Sequence, residues 1–278
     1  MSAPRDDLFA GAAAYYARYR QDYPPQAYAA IEEAFRLDGR GTLLDLGTGT
    51  GQIALRLAPR FQRVVALDVS AEMVEHARQA AAERGVTNVE WHVLPAESLA
   101  DLDAADGGPP YRLVTLGSAF HWMDQPRVLD LCYERTQDGG GIFIVALPGF
   151  ISPDNVEVGD ALASTIMQVV RRHLGERRRA GSGYFTPPPR RWEDFLADSR
   201  YEDIEVDHQE FAVDYDLDGV VGLLYSTSFA NRRILGDRVE AFERELREAL
   251  LALEPSGRYR RTFDAEWVLA HKRAAPHR

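Results

Sequence analysis

Residues 43–52 read Leu43-Leu44-Asp45-Leu46-Gly47-Thr48-Gly49-Thr50-Gly51-Gln52, an apolar run followed by three glycines on alternate positions. The apolar run predicts a buried parallel strand. Helical spacing of apolar residues resumes at Ile53, so the segment predicts a strand, a glycine turn and a helix, the start of a βαβ unit. Glycine lets the chain turn tightly and lets a ligand approach the backbone, because it has no Cβ. The new helix directs its unpaired N–H groups towards the same place.

The glycine spacing bears on the class of ligand. A dinucleotide-binding turn reads G-x-G-x-x-G and holds a pyrophosphate at the helix N-terminus. Here the third glycine comes one position early, at Gly51, and Gln52 stands where it belongs. Asp45 places a negative charge two residues before Gly47, which disfavours two phosphates and suits a ligand with an ammonium group.

The pattern D-x-G-x-G-x-G resembles motif I of the class I S-adenosylmethionine-dependent methyltransferases. The resemblance implies an α/β fold with a Rossmann-like, doubly wound sheet of seven strands, the last antiparallel, and helical cap insertions. It implies S-adenosylmethionine as cofactor and S-adenosylhomocysteine as product. Within the turn it implies cofactor contacts from Asp45, Gly47, Thr48, Gly49, Gly51 and Gln52.

The second predicted strand, Arg63–Asp68, ends on an acid about 20 residues after Gly47. A carboxylate there can accept two hydrogen bonds from a ribose diol; an ordinary turn aspartate is the alternative. Ser70 predicts the N-cap of a helix over 71–84. In the resembled family an acid after the third strand lies near the adenine, although it also suits the first turn of a helix. The remaining cofactor candidates are Val69, Met73, Ala96 and Glu97.

An aromatic segment, Ser118-Ala119-Phe120-His121-Trp122-Met123-Asp124, follows the fourth predicted strand, 111–116. Ligands of open α/β sheets bind beyond the carboxyl ends of the strands, near the switch point. We therefore expect Ser118 at the cofactor and Phe120, His121 and Trp122 at the methyl acceptor, unless the two rings are core residues and the histidine caps a helix. The string A-F-H-W-x-D also resembles a motif of one subgroup of small-molecule methyltransferases. His121 is the candidate catalytic base, because the unperturbed pKa of histidine is near 6.5; lining the pocket is its alternative role.

Residues 8–23 are dense in tyrosine. One interpretation is an amphipathic helix with its rings in the core. The other is a lid, since Phe9, Ala13, Tyr16, Arg20 and Tyr23-Pro24 resemble the leader that folds over the pocket in many small-molecule methyltransferases. The lid interpretation makes four tyrosines candidate acceptor contacts: Tyr15, Tyr16, Tyr19 and Tyr23.

The rest of the chain is expected to carry the acceptor specificity. A glycine turn is predicted at 139–141, before a fifth strand over 142–147, and a helix is predicted over 156–174. Tyr184 and Tyr225 are further candidate acceptor contacts. The arginine-, glycine- and proline-rich segment 177–191 predicts either a solvated, mobile loop or a basic rim for an acidic substrate. We predict one methyltransferase domain over 1–278, divided into lid helices (1–40), a cofactor-binding core (41–150), a cap with a sheet strand near 202–214 (151–256) and a last strand (257–272).

Composition narrows the function classes. The chain has 278 residues and a net charge of -11, which argues against nucleic acid as a partner. Cys132 is the single cysteine, so a reducing cytoplasm is expected. Neither a signal peptide nor a bilayer-spanning apolar run is recognised, and the sequence shows no clustered metal-ligand set. The abundance of arginine and alanine is typical of a GC-rich bacterial genome, and a monomer or homodimer is expected.

The sequence is compatible with three functions. The first is methyl transfer to a nitrogen, oxygen or carbon of a small molecule, without a metal; secondary metabolism is one setting for it. The second is a nucleotide-dependent oxidoreductase, which the displaced glycine and Asp45 disfavour. The third is a non-catalytic S-adenosylmethionine-binding protein, which has no need of a second, aromatic-lined pocket.

Overall fold

The computed structural model describes residues 7–106, 110–147, 160–186 and 190–273. The strands are β1 Thr42–Leu46, β2 Arg63–Asp68, β3 Val89–Val93, β4 Tyr111–Gly117, β5 Thr136–Ala146, β6 Arg179–Ala180, β7 Gly183–Tyr184, β8 Glu202–Asp216 and β9 Arg258–His271. The helices are α1 Ala13–Tyr19, α2 Pro25–Ala34, α3 Gln52–Leu57, α4 Ala71–Glu83, α5 Leu99–Asp106, α6 Gln125–Arg135, α7 Ala161–Leu174, α8 Trp192–Ala197, α9 Leu217–Tyr225, α10 Arg232–Leu235 and α11 Val239–Leu253. Among these described helices, none is long and apolar enough to cross a membrane.

In the part of the chain that the structure describes, seven strands form one sheet in the order β3-β2-β1-β4-β5-β9-β8. The first five pair in parallel, whereas β9 runs antiparallel between β5 and β8. The predicted doubly wound sheet with an antiparallel last strand is therefore confirmed. The order reverses at β1, because β2 lies on one side of it and β4 on the other. A crevice opens at such a switch point, beyond the carboxyl ends of the strands.

Within the described residues, three clusters of buried side chains hold the fold together. Two cover opposite faces of the sheet, and β1 contributes Leu44 to one and Leu43 to the other, as alternation along a strand requires. The third lies between α7, α9, α11, the C-terminal half of β8 and the N-terminal half of β9, around Val169, Leu224 and Phe242. The predicted cap thus has an apolar core of its own.

Three local predictions need correction. The glycines 139–141 lie inside β5, at an irregularity in its pairing with β4; at Gly141 a Cβ would stand 2.2 Å from the carbonyl oxygen of Ala270, so the close strand pairing needs glycine. The predicted loop 177–191 contains the hairpin β6–β7, tied to the cap by the amide of Gly181 and the carbonyl oxygen of Ser228 at 2.9 Å. The helix predicted from residue 156 begins at Ala161, and 156–159 lie outside the described residues.

Candidate cofactor and acceptor site

A cavity of about 800 Å³, including its open mouth, lies beyond the carboxyl ends of β1, β2 and β4. We call it the cofactor cavity. Its described walls come from the leader, the glycine turn, the ends of β2 and β4 and the segment after β3: Leu8, Phe9, Tyr16, Gly47, Gly49, Asp68, Val69, Ser70, Met73, Ala96, Glu97, Gly117, Ser118, Ala119, Trp122 and Met123. Eight of the predicted cofactor residues therefore meet at one place: Gly47, Gly49, Asp68, Val69, Met73, Ala96, Glu97 and Ser118.

The three turn glycines all have positive φ, at +64° for Gly47, +55° for Gly49 and +84° for Gly51, but their surroundings differ. A Cβ on Gly47 would stand 2.5 Å from the Cβ of Ala119, so this glycine admits the segment after β4. Gly49 has no described atom within 4 Å of such a Cβ, and it lines the cavity. Gly51 faces Trp91 and Ala77 in the interior instead. Gly49 is thus the position where a ligand can lie against bare backbone.

Asp68 joins the turn to the end of β2. Its carboxylate accepts hydrogen bonds from the amide of Gly49 at 2.8 Å and from the amide of Ser70 at 2.9 Å. Burial raises the pKa of this carboxyl group, while the two amides oppose the shift. Because Asp68 also lines the cavity, its remaining lone pairs suit the hydroxyl groups of a ribose.

Asp45 lies beneath the turn and outside the cavity walls. Its carboxylate, only 1% exposed, accepts hydrogen bonds from the hydroxyl of Thr48 at 2.6 Å and that of Thr115 at 2.7 Å. Burial raises its pKa to about 6. In the structure Asp45 therefore braces the turn from below, whereas the sequence predicted a direct contact to the ligand. Gln52 likewise turns away, and its amide donates to the carbonyl oxygen of Gln21.

The far end of the cavity is apolar, with one acid. Val69, Met73 and Ala96 offer side chains suited to the faces of an adenine ring. Glu97 accepts a hydrogen bond from the amide of Asp124 at 2.9 Å, and this links the segment after β3 to the start of α6.

A second cavity, which we call the acceptor pocket, adjoins the first. Both are lined by Phe9, Tyr16, Ser118 and Trp122. The other described walls of the acceptor pocket come from the leader, the turn after β4, the end of β5, the hairpin β6–β7 and the segment around the end of α9: Arg20, His121, Leu147, Arg178, Leu224, Thr227, Ser228 and Phe229.

The leader covers both cavities. Phe9 contacts Tyr16 and Trp122 edge to face, with ring centroids 5.9 and 6.5 Å apart. The amide of Gly11 donates to Glu72 of α4 at 2.8 Å, and the carboxylate of Asp7 accepts from the amide of Ser182 in the hairpin at 2.6 Å. The leader therefore spans from α4 to the β6–β7 hairpin.

Ser118 stands at the junction of the two cavities in a strained conformation. Its φ is +51°, which is uncommon for a residue with a side chain. The hydroxyl of Tyr23 donates to Ser118 Oγ at 3.1 Å, and the amide of Leu147 donates to the same oxygen at 3.3 Å. Such strain persists where surrounding contacts hold it, often at functional sites.

His121 lies in the acceptor pocket, with its ring centroid 4.7 Å from that of Trp122. Burial, and then the positive charge of Arg178, lower its pKa to about 4. The imidazole is therefore neutral at ordinary pH and a weak base.

Several predicted acceptor contacts lie elsewhere. Tyr15 and Tyr19 pack against the cap helix α9, where a Cβ on Gly222 would stand 2.4 Å from the ring of Tyr19. Phe120 is a core residue packed edge to face on Phe195. Outside both cavities lie Tyr184, which stacks under Arg177, and Tyr225, which donates to Glu243. Tyr23 is not a wall residue of either cavity; its hydroxyl donates to Ser118 and lies against Gly117.

Arg20 and Arg178 are pocket residues that our sequence analysis did not assign. Arg20 belongs to the leader motif, and Arg178 lies in the segment for which a basic rim was the alternative interpretation. Nothing in the sequence shows that these two arginines, 158 positions apart, meet in one pocket. Among the described side chains, no His, Cys, Asp or Glu cluster could hold a metal ion.

Comparison with known proteins identifies the core. Residues 43–140 match a family model described as a methyltransferase domain. The tRNA 5-carboxymethoxyuridine methyltransferase of Escherichia coli (strain K12) is 33% identical over 100 residues, which cover 35% of this chain and 37% of that protein. The chain spans about half or less of the length of the curated relatives it matches.

Solved structures share the fold. The [4+2]-cyclase SpnF has a TM-score of 0.56 at 16% identity, over 97% of this chain and 94% of that one. Phosphoethanolamine N-methyltransferase 2 of Haemonchus contortus, in complex with phosphomonomethylethanolamine and S-adenosylhomocysteine, has a TM-score of 0.53 at 16% identity, over 96% of this chain and 57% of that one. At such identities these likenesses establish the fold.

The residues of the cofactor cavity fit S-adenosylmethionine: a bare glycine backbone, a carboxylate for the ribose and an apolar end for the adenine. Together with the sheet order and the domain match, they show that residues 43–140 form the core of a class I S-adenosylmethionine-dependent methyltransferase domain.

Proposed function

We propose that this protein transfers the methyl group of S-adenosylmethionine to a small molecule held in the acceptor pocket. The observation that supports this proposal is the pair of adjoining cavities, whose common wall is Phe9, Tyr16, Ser118 and Trp122. A protein that only binds S-adenosylmethionine does not need the second cavity.

S-adenosylmethionine supplies an activated methyl group: an acceptor lone pair forms the new bond to carbon, and the C–S electron pair returns to sulfur to give the thioether S-adenosylhomocysteine. The protein's task is to position the two reactants and to exclude water. Phe9 and Trp122 provide the apolar wall at the junction. Asp68 and the backbone at Gly49 orient the cofactor.

His121 serves here as a neutral wall of the acceptor pocket. A general base works best when its pKa is near the working pH. With a pKa lowered to about 4, the imidazole of His121 takes up a proton poorly at neutral pH.

A small molecule is proposed as acceptor because the leader closes over the pocket. Phe9 packs on Trp122, the amide of Gly11 donates to Glu72, and Asp7 accepts from the amide of Ser182. The net charge of -11 opposes binding of a polyanion to the protein as a whole. The similarity to a tRNA methyltransferase makes total tRNA a necessary arm of the test.

The test has two steps. Calorimetry with S-adenosylhomocysteine first measures occupation of the cofactor cavity, with NAD as the comparison. S-adenosylmethionine labelled in the methyl group is then incubated with the protein and either a bacterial small-metabolite extract or total tRNA. We expect label in the small-molecule fraction; label in tRNA alone, or in neither fraction, would refute the proposal.

A further inference from the structure

The acceptor pocket differs from the cofactor cavity in charge. Its described walls include two arginines, Arg20 and Arg178, and no aspartate or glutamate. The leader supplies Arg20, just after α1, and the cap supplies Arg178, just before β6. Two cations from separate parts of the chain therefore face the same small volume.

Arg20 is held firmly without being neutralised. Its Nε donates to the hydroxyl of Ser226 at 2.9 Å, and its guanidinium group lies 4.9 Å from the centre of the Tyr16 ring. Both partners are uncharged. The contacts fix the direction of the side chain and leave its positive charge to act on the pocket.

Arg178 is partly buried between aromatic rings. Its guanidinium carbon lies 4.5 Å from the centre of the Phe185 ring and 5.0 Å from that of Phe229. Its Nε is buried and has no hydrogen-bond partner within the described structure. Burial, and then the charge of Arg20, lower the pKa of Arg178. A desolvated cation beside a second cation is unfavourable, because ring contacts replace little of the lost hydration.

We propose that the acceptor is an organic anion, a carboxylate or a phosphate monoester, bound by Arg178 and Arg20 with its apolar part against Phe9, Trp122 and Phe229. The guanidinium group presents several N–H donors in a planar fork that matches such oxygens, and the anion supplies the charge that the pocket lacks. This inference rests on the proposed function, since it assigns the substrate class of the same pocket.

The test uses the full chain saturated with S-adenosylhomocysteine and three probes of similar shape. Phenylacetate and phenyl phosphate are the anionic probes, and phenylacetamide is their neutral counterpart. We expect calorimetry to show at least tenfold tighter binding of an anion than of the amide. Arg178→Met should remove that preference, and Arg178→Lys should retain part of it, because lysine keeps the charge and loses the fork.

A matched control is the neighbouring Arg177, which is exposed and stacks on Tyr184 outside the pocket at 3.9 Å. Arg177→Met removes the same charge from the same segment and should leave the anion preference unchanged. Arg178→Met should also raise the melting temperature of the ligand-free protein, because it removes an uncompensated cation. If Arg178 served only to pack the hairpin, Arg178→Met would lower the melting temperature instead.

Three results would overturn the inference: equal binding of the amide and the anions, wild-type anion affinity in Arg178→Met, or no binding of either anion. Preferential binding of total tRNA would also overturn it and assign the arginines to nucleic acid. Failure of S-adenosylhomocysteine to bind would instead refute the proposed function. The anion titration would then be carried out on the ligand-free protein.

Discussion

The cofactor cavity and the acceptor pocket share a wall but are built in different ways. The charged residues that line the first are the acids Asp68 and Glu97. Those of the second are Arg20 and Arg178, beside a histidine that burial keeps neutral. The first is made mainly of backbone and short side chains at the ends of sheet strands, and the second of long side chains from the leader and the cap.

This difference predicts that the two cavities tolerate sequence change to different degrees. Sheet ends are held by strand pairing on both sides, so a cofactor cavity built on them tolerates little change. The acceptor pocket draws on the leader, the turn after β4, the hairpin and the end of α9, each of which can vary while the sheet stays intact. We therefore expect changes on the cofactor side to alter cofactor affinity, and changes on the acceptor side to alter which substrate is bound. The following four predictions test that separation.

Gly49→Val should have the largest effect. The new side chain would enter the cofactor cavity from a backbone with positive φ, so affinity for S-adenosylhomocysteine should fall at least ~100-fold, or about 3 kcal/mol. Calorimetry measures the affinity, and thermal unfolding measures the stability.

Gly139→Val is the matched control. Gly139 also has positive φ and no described atom within 4 Å of a Cβ, but it lies towards the start of β5, away from the cavity. Both variants should lose ~1–2 kcal/mol of stability from backbone strain, and only Gly49→Val should lose the cofactor. Equal cofactor affinity in the two variants would show that the ligand does not approach the turn.

The two regions should respond to acid with opposite signs. The pKa of Asp45 is raised from 3.8 to about 6, so the native state takes up a proton before the unfolded chain and gains stability as pH falls from 6 to 4, by up to about 3 kcal/mol. The pKa of His121 is lowered from 6.5 to about 4, so its contribution is complete above pH 6.5 and is lost as pH falls towards 4, by a similar amount.

Denaturant unfolding between pH 4 and 7 measures these terms. Relative to wild type, Asp45→Asn should lose stability as the pH is lowered, because it lacks the favourable protonation, and His121→Gln should gain it. Each variant is the control for the other. Curves that stay parallel to wild type would mean that neither group is buried as the structure places it.

Asp68→Asn should weaken the cofactor by ~1–3 kcal/mol, because the amide lacks one of the acceptor oxygens that hold the turn and suit the ribose. The dissociation constant of S-adenosylhomocysteine is the measurement. Glu90→Gln removes a carboxylate from the neighbouring strand β3, where it pairs with Arg63 on the surface, and should leave that constant unchanged. A cofactor affinity in Asp68→Asn equal to that of wild type would show that Asp68 does not contact the ribose.

Tyr23→Phe should have the smallest effect, about 0.5–1.5 kcal/mol of stability from the lost hydrogen bond to Ser118. Since Ser118 stands where the two cavities meet, kcat should fall together with stability. Tyr28→Phe removes a tyrosine hydrogen bond to the carboxylate of Asp22, outside both cavities, and should cost stability alone. A kcat that is lowered equally in both variants would deny Ser118 a role at the junction.

The cofactor cavity was largely predictable from the sequence, since strand ends and glycine spacing place Gly49, Asp68 and Ala96 near one another in any doubly wound sheet. The exceptions have a common cause. Asp45, in β1, and Gly51, in the turn, belong to the same motif but face inwards, because successive residues of a strand or a tight turn point in different directions and the motif letters do not record which. The tyrosines Tyr15 and Tyr19 were misassigned because helical spacing does not show which surface a helix packs against.

The sequence by itself determined the strand–turn–helix at residues 42–57, because it depends on local backbone geometry and short-range spacing. The seven-stranded sheet and the class of cofactor followed from the resemblance of this motif to a known family. Only the tertiary structure decided the character of the acceptor pocket. The charge facing the acceptor depends on Arg20 and Arg178, which meet because the leader and the β6–β7 hairpin contact each other and the same segment after α9. Long-range packing of this kind, which also lowers the pKa of His121, leaves no periodic or spacing signal in the chain.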